Sequence, residues 1–492
     1  MDIKKYSFWF VIGSQHLYGP QVLKTVENHG KIMTAGFNED ALIPWKVEFK
    51  GVVTTPEQVF QVLSQANNEP ACAGVITWMH TFSPSKMWIA GLDALHKPYL
   101  HLNTQFNREI PFETIDMDFM NLNQSAHGDR EHGFISARLR KPRKIIAGYW
   151  QDAAMKARIG AWMRSAIGAV VSRGLKVARF GDNMREVAVT EGDKVEAQRV
   201  FGWSVNTFSV GGLAEAVETV SQAQIDQKME EYRARYLVNT EDLDAVQYQA
   251  RLEVALQGWL EEGGFGGYTD TFEDLFHLKQ LPGLASQNLM SKGYGFGAEG
   301  DWKLSALTRV IKSMSTGLEG GASFMEDYTY HLEQGNELVL GAHMLEICPT
   351  IAVSKPRIEV HPLGIGGKEA PARLVFDGRA GDAILVTVTD MGNRFRMIVH
   401  DVAVIPPIQP MPQLPVARVM WKPMPDLYRG SECWILAGGA HHSVLAYALN
   451  ADHMRDFAEI MGIEFVHIGR DTDIQWLKRE LELNDLVWKL KG

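Results

Sequence analysis

Two glutamates and three histidines occupy stretches where ionisable side chains are uncommon. Glu299 lies in the glycine-rich run Gly295-Phe-Gly-Ala-Glu-Gly300. Glu326 sits among aromatics in Ser323-Phe-Met-Glu-Asp-Tyr-Thr-Tyr330, and His343 in the apolar, strand-like Gly341-Ala-His-Met-Leu-Glu-Ile-Cys348. His441 and His442 follow Trp434-Ile-Leu-Ala-Gly-Gly-Ala440, which reads as a strand running into a glycine turn. Two carboxylates with one or two imidazoles can hold a divalent cation. Oxygen-plus-imidazole ligation with open positions favours Mn²⁺ or a related octahedral ion. Structural zinc would call for tetrahedral closure or cysteine ligands, and none are placed for it. Taken singly, each residue is better explained as a hydrogen-bonded structural group. Spacings of tens of residues are no signature, so the set is a candidate metal site and no more.

The run from Gly295 to Gly300 also spells G-x-G-x-x-G, the letters of a dinucleotide-binding turn. That turn needs a buried strand before it, and Ser286-Gln-Asn-Leu-Met-Ser-Lys-Gly293 makes a poor one. Glu299 would moreover place a carboxylate beside the diphosphate, where like charges repel. A nucleotide-dependent oxidoreductase is therefore the lesser alternative. Gly13-Ser-Gln-His-Leu-Tyr-Gly19 follows the first strand, which puts Gln15 or His16 where α/β sheets bind ligands. His127 and His132, in Ala126-His-Gly-Asp-Arg-Glu-His-Gly133, are pocket candidates, although a solvated polar loop is the simpler reading. The sequence holds no G-x-S-x-G, and no cysteine has the flanks of a nucleophile.

The elements that must position these groups alternate regularly at first. Phe8–Ile12, Trp45–Val53, Ala73–Trp78 and Tyr99–Leu102 read as strands. Pro20–Phe37, Pro56–Ala66 and Lys86–Leu95 read as helices between them, an order that implies a mainly parallel sheet. A second set begins at Lys144–Trp150, continues through Ala153–Arg173 and Leu175–Phe180, and becomes helix-rich over Leu213–Leu260. After about residue 325 the chain turns β-rich, with Asp382–Ile405 patterned as a hairpin about Met391-Gly-Asn393. The expected fold is α/β: two doubly wound α/β domains followed by a mainly antiparallel β domain, divided as 1–172, 173–322 and 323–492.

Length and composition agree with that. At roughly 150 residues per domain, 492 residues suggest three domains. A net charge of −10 is the wrong sign for a protein that grips nucleic acid. Three cysteines make no disulfide framework and suit a reducing compartment. The first apolar stretch is half the length of a membrane helix and precedes no cleavage site, so the expected location is the cytoplasm.

Several of these segments together resemble the bacterial L-arabinose isomerase family. They are Phe10-Val-Ile-Gly-Ser-Gln-His-Leu-Tyr-Gly19, Gly293-Tyr-Gly-Phe-Gly-Ala-Glu-Gly-Asp301, Phe324-Met-Glu-Asp-Tyr328, Gly341-Ala-His-Met-Leu-Glu346, His361-Pro-Leu-Gly-Ile-Gly-Gly367 and Gly438-Gly-Ala-His-His442. They occur in order over nearly the whole chain. The resemblance implies interconversion of L-arabinose and L-ribulose, and less efficiently of D-galactose and D-tagatose. It implies one Mn²⁺ per subunit on Glu299, Glu326, His343 and His442, with Glu299 and Glu326 as acid and base across a cis-enediol. Substrate contacts would fall on Gln15, Leu17, Met184, Phe272, Ile365 and His441, with His127 reaching in from a neighbouring subunit. It further implies a fold like that of L-fucose isomerase, assembled as a homohexamer of paired trimers. Within the same class, an isomerase of another aldose is the alternative.

Overall fold

The computed structural model describes residues 3–491, which divide into two compact units, one ending at Val170 and the other beginning at Val171. The first unit is built on five parallel strands, β1 (Ser7–Gly13), β2 (Lys46–Val53), β3 (Cys72–Trp78), β4 (Tyr99–Asn103) and β5 (Lys144–Ala147), in the order β2-β1-β3-β4-β5. Every residue of β1 and β3 is buried, as strands covered on both faces require. The helix Pro56–Asn68 starts where Thr55 caps it by accepting from Gln58 N, and it buries Val59, Val62, Leu63 and Ala66 at helical spacing. These side chains join Trp9, Val11, Val75, Trp88 and Leu92 in one core. The strand order reverses next to β1, so the segment leaving β1 at Gly13 stands at the switch point where such sheets bind ligands.

The second unit opens with β6 (Lys176–Phe180) and β7 (Ser204–Phe208). After β8 (Leu237–Val238) come β9 (Gly267–Thr269) and β10 (Gly295–Gly297), giving a four-stranded parallel sheet in the order β10-β9-β6-β7. The helix-rich stretch resolves into three helices, Val210–Glu218, Gln222–Arg235 and Leu243–Gly263, each begun by a side-chain cap from Ser209, Ser221 or Asp242. Gly295 and Gly297 lie inside β10 rather than in the turn after it. A Cβ there would sit 2.0 Å from Ser305 O and 2.3 Å from Asp301 O, so both glycines serve the close approach of the helix Trp302–Met314. The phosphate-cradling reading of that run loses its first two glycines accordingly.

The remaining strands are β11 (Ala322–His331), β12 (Leu338–Ala342), β13 (Arg357–Val360), β14 (Ala372–Val375), β15 (Gly381–Asp390), β16 (Phe395–Ile405), β17 (Arg418–Pro423), β18 (His442–Ala446) and β19 (Glu464–Ile468). The order β15-β18-β11-β12-β17-β16 closes on itself because β15 also pairs with β16. Every pairing round this six-stranded ring is antiparallel, and β19 adds to β16 in parallel. Met325, Val339, Leu385, Ile398, Val419, Trp421 and Leu445 belong to one buried cluster with the helices around the ring. The expected hairpin is β15 and β16. The expected strand at Trp434 is not one: Leu427–Leu436 is a helix capped by Asp426, and the strand begins only at His442. Short apolar runs fit either element, and the cap decided this one. Among the described residues no helix is long and apolar enough to cross a membrane.

Candidate metal centre

Three neighbouring strands of the ring deliver three of the candidate groups. Glu326 in β11 pairs with Ala342 of β12 on one side and with His442 of β18 on the other. His343 is the residue after Ala342, at the point where β12 ends. Glu299 arrives from the parallel sheet, on the turn between β10 and the helix Trp302–Met314. Its φ of 60° is the left-handed region, uncommon for a glutamate. Backbone bonds hold it there: Met184 N donates to Glu299 O at 3.0 Å, and Gly300 N to Asp270 O at 2.8 Å.

The side chains converge. Donor atoms of Glu299, His343 and His442 lie within 4.8 Å of one another. Glu326 Oε2 is 3.9 Å from His343 Nε2, and Glu299 Oε2 is 3.8 Å from His442 Nε2. Those separations are too long for hydrogen bonds. His442 Nε2 is buried with no hydrogen-bond partner, which a neutral imidazole tolerates poorly unless that nitrogen meets a cation. Glu299 with the two imidazoles, one of them carrying an orphaned nitrogen, fits a divalent ion, and Glu326 stands beside His343. The buried Phe324 ring meets both imidazoles edge-on, at 5.1 Å from His343 and 4.9 Å from His442, and fixes their rotation. Half-exposed His441 places Nε2 3.4 Å from Glu299 Oε2.

Behind each imidazole stands a carboxylate. His343 Nδ1 meets Glu346 Oε2 at 2.5 Å, and His442 Nδ1 meets Asp301 Oδ2 at 3.2 Å. Such pairs make Nδ1 the proton-bearing nitrogen and leave Nε2 free to bind a metal. Asp301 also caps the helix Trp302–Met314 by accepting from Leu304 N, and it faces the fully buried Lys303 ammonium at 3.5 Å. Lys303 Nζ donates onward to the carbonyls of Thr190 at 2.8 Å and Glu191 at 2.6 Å. Sequence reading had passed over Glu346 and Asp301. Their signal was proximity: one lies three residues after His343, the other two after Glu299 at a helix start.

Electrostatics follow from this packing. Burial works to raise the Glu299 carboxyl's pKa, but the His441 hydrogen bond and the charges of His442 and His343 outweigh it and hold it below the usual value. Burial works to lower His343, yet Glu346 and the site glutamates carry it up to about 9. Two further carboxyls are pushed up toward neutrality. Asp270 is pushed up to about 8 by burial and the charge of Glu346, and Asp327 to about 7 by burial and the charge of Glu326.

The expected substrate positions divide between the units. In the second, Met184 is tied to Glu299 as described. Phe272 is half-buried two residues beyond Asp270, and Gly366 approaches its Cβ, which brings the loop of Ile365 against it. In the first, Gln15 is half-buried and Leu17 stands 84% exposed in the segment after β1. His127 is exposed and stacks on Phe82 with ring centroids 4.6 Å apart. The polar stretch around it is the helix Ser125–Arg138 and not a loop, and His132 is a core residue bonded to Tyr99 Oη at 2.5 Å. His132 is thus a wholly buried core residue rather than part of an exposed loop.

Comparison with known proteins agrees along the whole chain. Residues 2–174 match the model of the L-arabinose isomerase N-terminal domain, 176–317 that of the central domain and 321–464 that of the C-terminal domain. The L-arabinose isomerase of Anoxybacillus flavithermus is 56% identical over 495 residues, covering 99% of each chain. That of Thermotoga maritima is 55% identical over 492 residues, all of this chain and 99% of its own, and that of Geobacillus kaustophilus 54% identical over 495 residues, 99% of each.

Proposed function

The chain belongs to the L-arabinose isomerase family, and from that premise we propose that it interconverts L-arabinose and L-ribulose through the centre formed by Glu299, Glu326, His343 and His442. The observation that carries the reading is the convergence of Glu299, His343 and His442, from two different sheets, at an unpartnered buried nitrogen, with Glu326 beside His343. The four would hold one Mn²⁺, and the donor set is what supports that ion: oxygen and imidazole, with no cysteine in the group.

Aldose–ketose isomerisation takes a proton from the carbon beside a carbonyl and returns one to its neighbour. The bound ion supplies the Lewis acidity that makes this carbon proton removable and steadies the negative charge that develops. Glu299 and Glu326 act as the acid–base pair. One moves the carbon proton and the other the hydroxyl proton across a cis-enediol, and they exchange roles with the direction of reaction. The depressed pKa of Glu299 keeps it ionised and ready to accept a proton. His441, half-exposed beside Glu299, hydrogen-bonds the sugar. Met184, Phe272 and Ile365 line the substrate, as do Gln15, Leu17 and a neighbouring subunit's His127. D-Galactose is the poorer substrate, giving D-tagatose. The same reading includes the division at 1–172, 173–322 and 323–492, a homohexamer of paired trimers, and the cytoplasm as location.

A ketose assay on L-arabinose tests this, run with enzyme stripped by a chelator and again after adding Mn²⁺. Ketose should appear only with the ion present. A stripped enzyme of full activity would reject the metal role, and no ketose under either condition would reject the activity.

A further inference from the structure

Two buried cations sit behind the centre, and each touches a loop that carries an expected substrate position. Lys303, wholly buried, bridges Asp301 to the carbonyls of Thr190 and Glu191, which close the loop containing Met184. That loop is held at its other end by Met184 N on Glu299 O, and Asn183 Nδ2 donates to the same Thr190 carbonyl at 2.7 Å. Arg373, 2% exposed, donates to Met344 O at 3.5 Å, next to His343, and to His361 O at 2.6 Å, where the loop carrying Ile365 begins. Burial pulls its pKa down to about 10, opposed by the charges of Glu346 and Glu359. The two arrangements run in the same order, imidazole, carboxylate, buried cation, loop carbonyl, with the carboxylate paired to the cation in the first and acting on it by charge alone in the second.

We propose that Lys303 and Arg373 are positioning residues that couple occupation of the metal centre to the order of the loops carrying Met184 and Ile365. The inference rests on the metal reading above and extends it. A cation on Nε2 of His442 strengthens the Nδ1–H hydrogen bond to Asp301 and fixes that carboxylate. Among the described residues Asp301 is the only carboxylate paired with Lys303. A buried ammonium held by a carboxylate on one side and two carbonyls on the other cannot lose one partner without straining its bonds to the rest. The loop at Thr190–Glu191 is thereby tightened when the histidine is engaged. His343, Glu346 and Arg373 act likewise on the loop at His361. Coupling of this kind is reciprocal: whatever orders the loops, substrate included, tightens the grip on the ion by the same factor.

Hydrogen exchange read peptide by peptide tests the proposal, together with Mn²⁺ binding measured by titration calorimetry on the stripped full-length protein. In the wild type Mn²⁺ should slow exchange several-fold in peptides spanning 182–191 and 361–367. Lys303→Met should weaken Mn²⁺ binding by roughly tenfold or more and erase the response of 182–191 while sparing that of 361–367. Arg373→Met should do the converse, and Lys303→Arg should restore part of the first response. Wild-type protein that binds Mn²⁺ without slowing either loop overturns the coupling alone. Wild-type protein that binds no Mn²⁺ overturns the metal reading with it. A Lys303→Met protein whose loops respond as in the wild type also overturns the coupling, and where a variant does not fold the wild-type comparison decides.

Discussion

Glu326 and His442 are direct cross-strand partners in the antiparallel pair β11–β18. Side chains so paired leave the same face of a sheet with Cβ atoms about 5 Å apart. A slip of one residue would send either to the opposite face. The register of two strands therefore sets the relation between a carboxylate and an imidazole that stand 116 residues apart in sequence.

Removing either carboxylate should slow the chemistry more than it weakens sugar binding. Glu299→Gln and Glu326→Gln keep the shape and remove the proton-transferring group, so kcat should fall by roughly 10² to 10⁴. Steady-state ketose formation, with bound Mn²⁺ quantified in each variant, checks this. Near-normal turnover in both would eliminate the paired-carboxylate mechanism.

Glu346 and Asp301 should act on the ion through the histidines. Glu346→Gln or Asp301→Asn leaves each imidazole without its charged partner at Nδ1. Mn²⁺ affinity should drop by about 10- to 100-fold, with the fold retained. Calorimetric titration of stripped protein reads the change directly, and affinities equal to wild type would show the carboxylates to be bystanders.

Gly341 should tolerate no side chain. Gly341 lies in the strand that ends one residue before His343, and a Cβ there would stand 1.9 Å from Cζ3 of the fully buried Trp421. Gly341→Ala should cost about 1–3 kcal/mol through overpacking and displace the histidine as well. Chemical denaturation and Mn²⁺ binding should therefore both be impaired. An alanine variant with wild-type stability would mean that Trp421 has room to move.

Acid should weaken the first unit through His80. This side chain is fully buried, stacks on Trp78 at 4.3 Å and places Nε2 2.7 Å from Nδ1 of His29. Burial pulls its pKa down to about 3, with His29 adding to the effect. Below pH 6.5 the unfolded chain binds a proton that folded His80 refuses until about pH 3. The stabilisation is complete above pH 6.5 and is lost as pH falls toward 3, by about 1.4 kcal/mol per pH unit for one such group. Melting temperature followed across that window should decline less steeply in His80→Gln than in the wild type; parallel curves would count against His80 as the cause.

Much of the fold was legible because local signals and burial agreed. Alternating strands and amphipathic helices announced the parallel sheets, and the two alternating strands about Met391-Gly-Asn393 announced β15 and β16. Closure of the ring was not legible, since it depends on β15 meeting both β16 and the distant β18, and no local pattern encodes that second pairing. Trp434-Ile-Leu misled because three apolar residues carry no period, while the informative residue, Asp426, stood eight positions upstream. The four candidate ligands stood out as charged or imidazole groups in apolar surroundings. The convergence of Glu299, His343 and His442, with Glu326 beside His343, appears only once Glu299 is bent to positive φ and the ring has brought β12, β11 and β18 side by side. Glu346 and Asp301 escaped notice because an acid near a histidine or at a helix start has ordinary uses.

Glu326 rides on a closed ring that has no free edge to fray, whereas Glu299 rides on a turn of an open four-stranded sheet. The proposed acid–base pair is thus divided between a stiff mount and a softer one. Flexing of one sheet against the other would alter the gap between the two carboxylates and leave Glu326, His343 and His442 in mutual register. Because Glu299 is both a proposed ligand and half of that pair, retention of the ion and speed of turnover then yield together when the softer mount gives way.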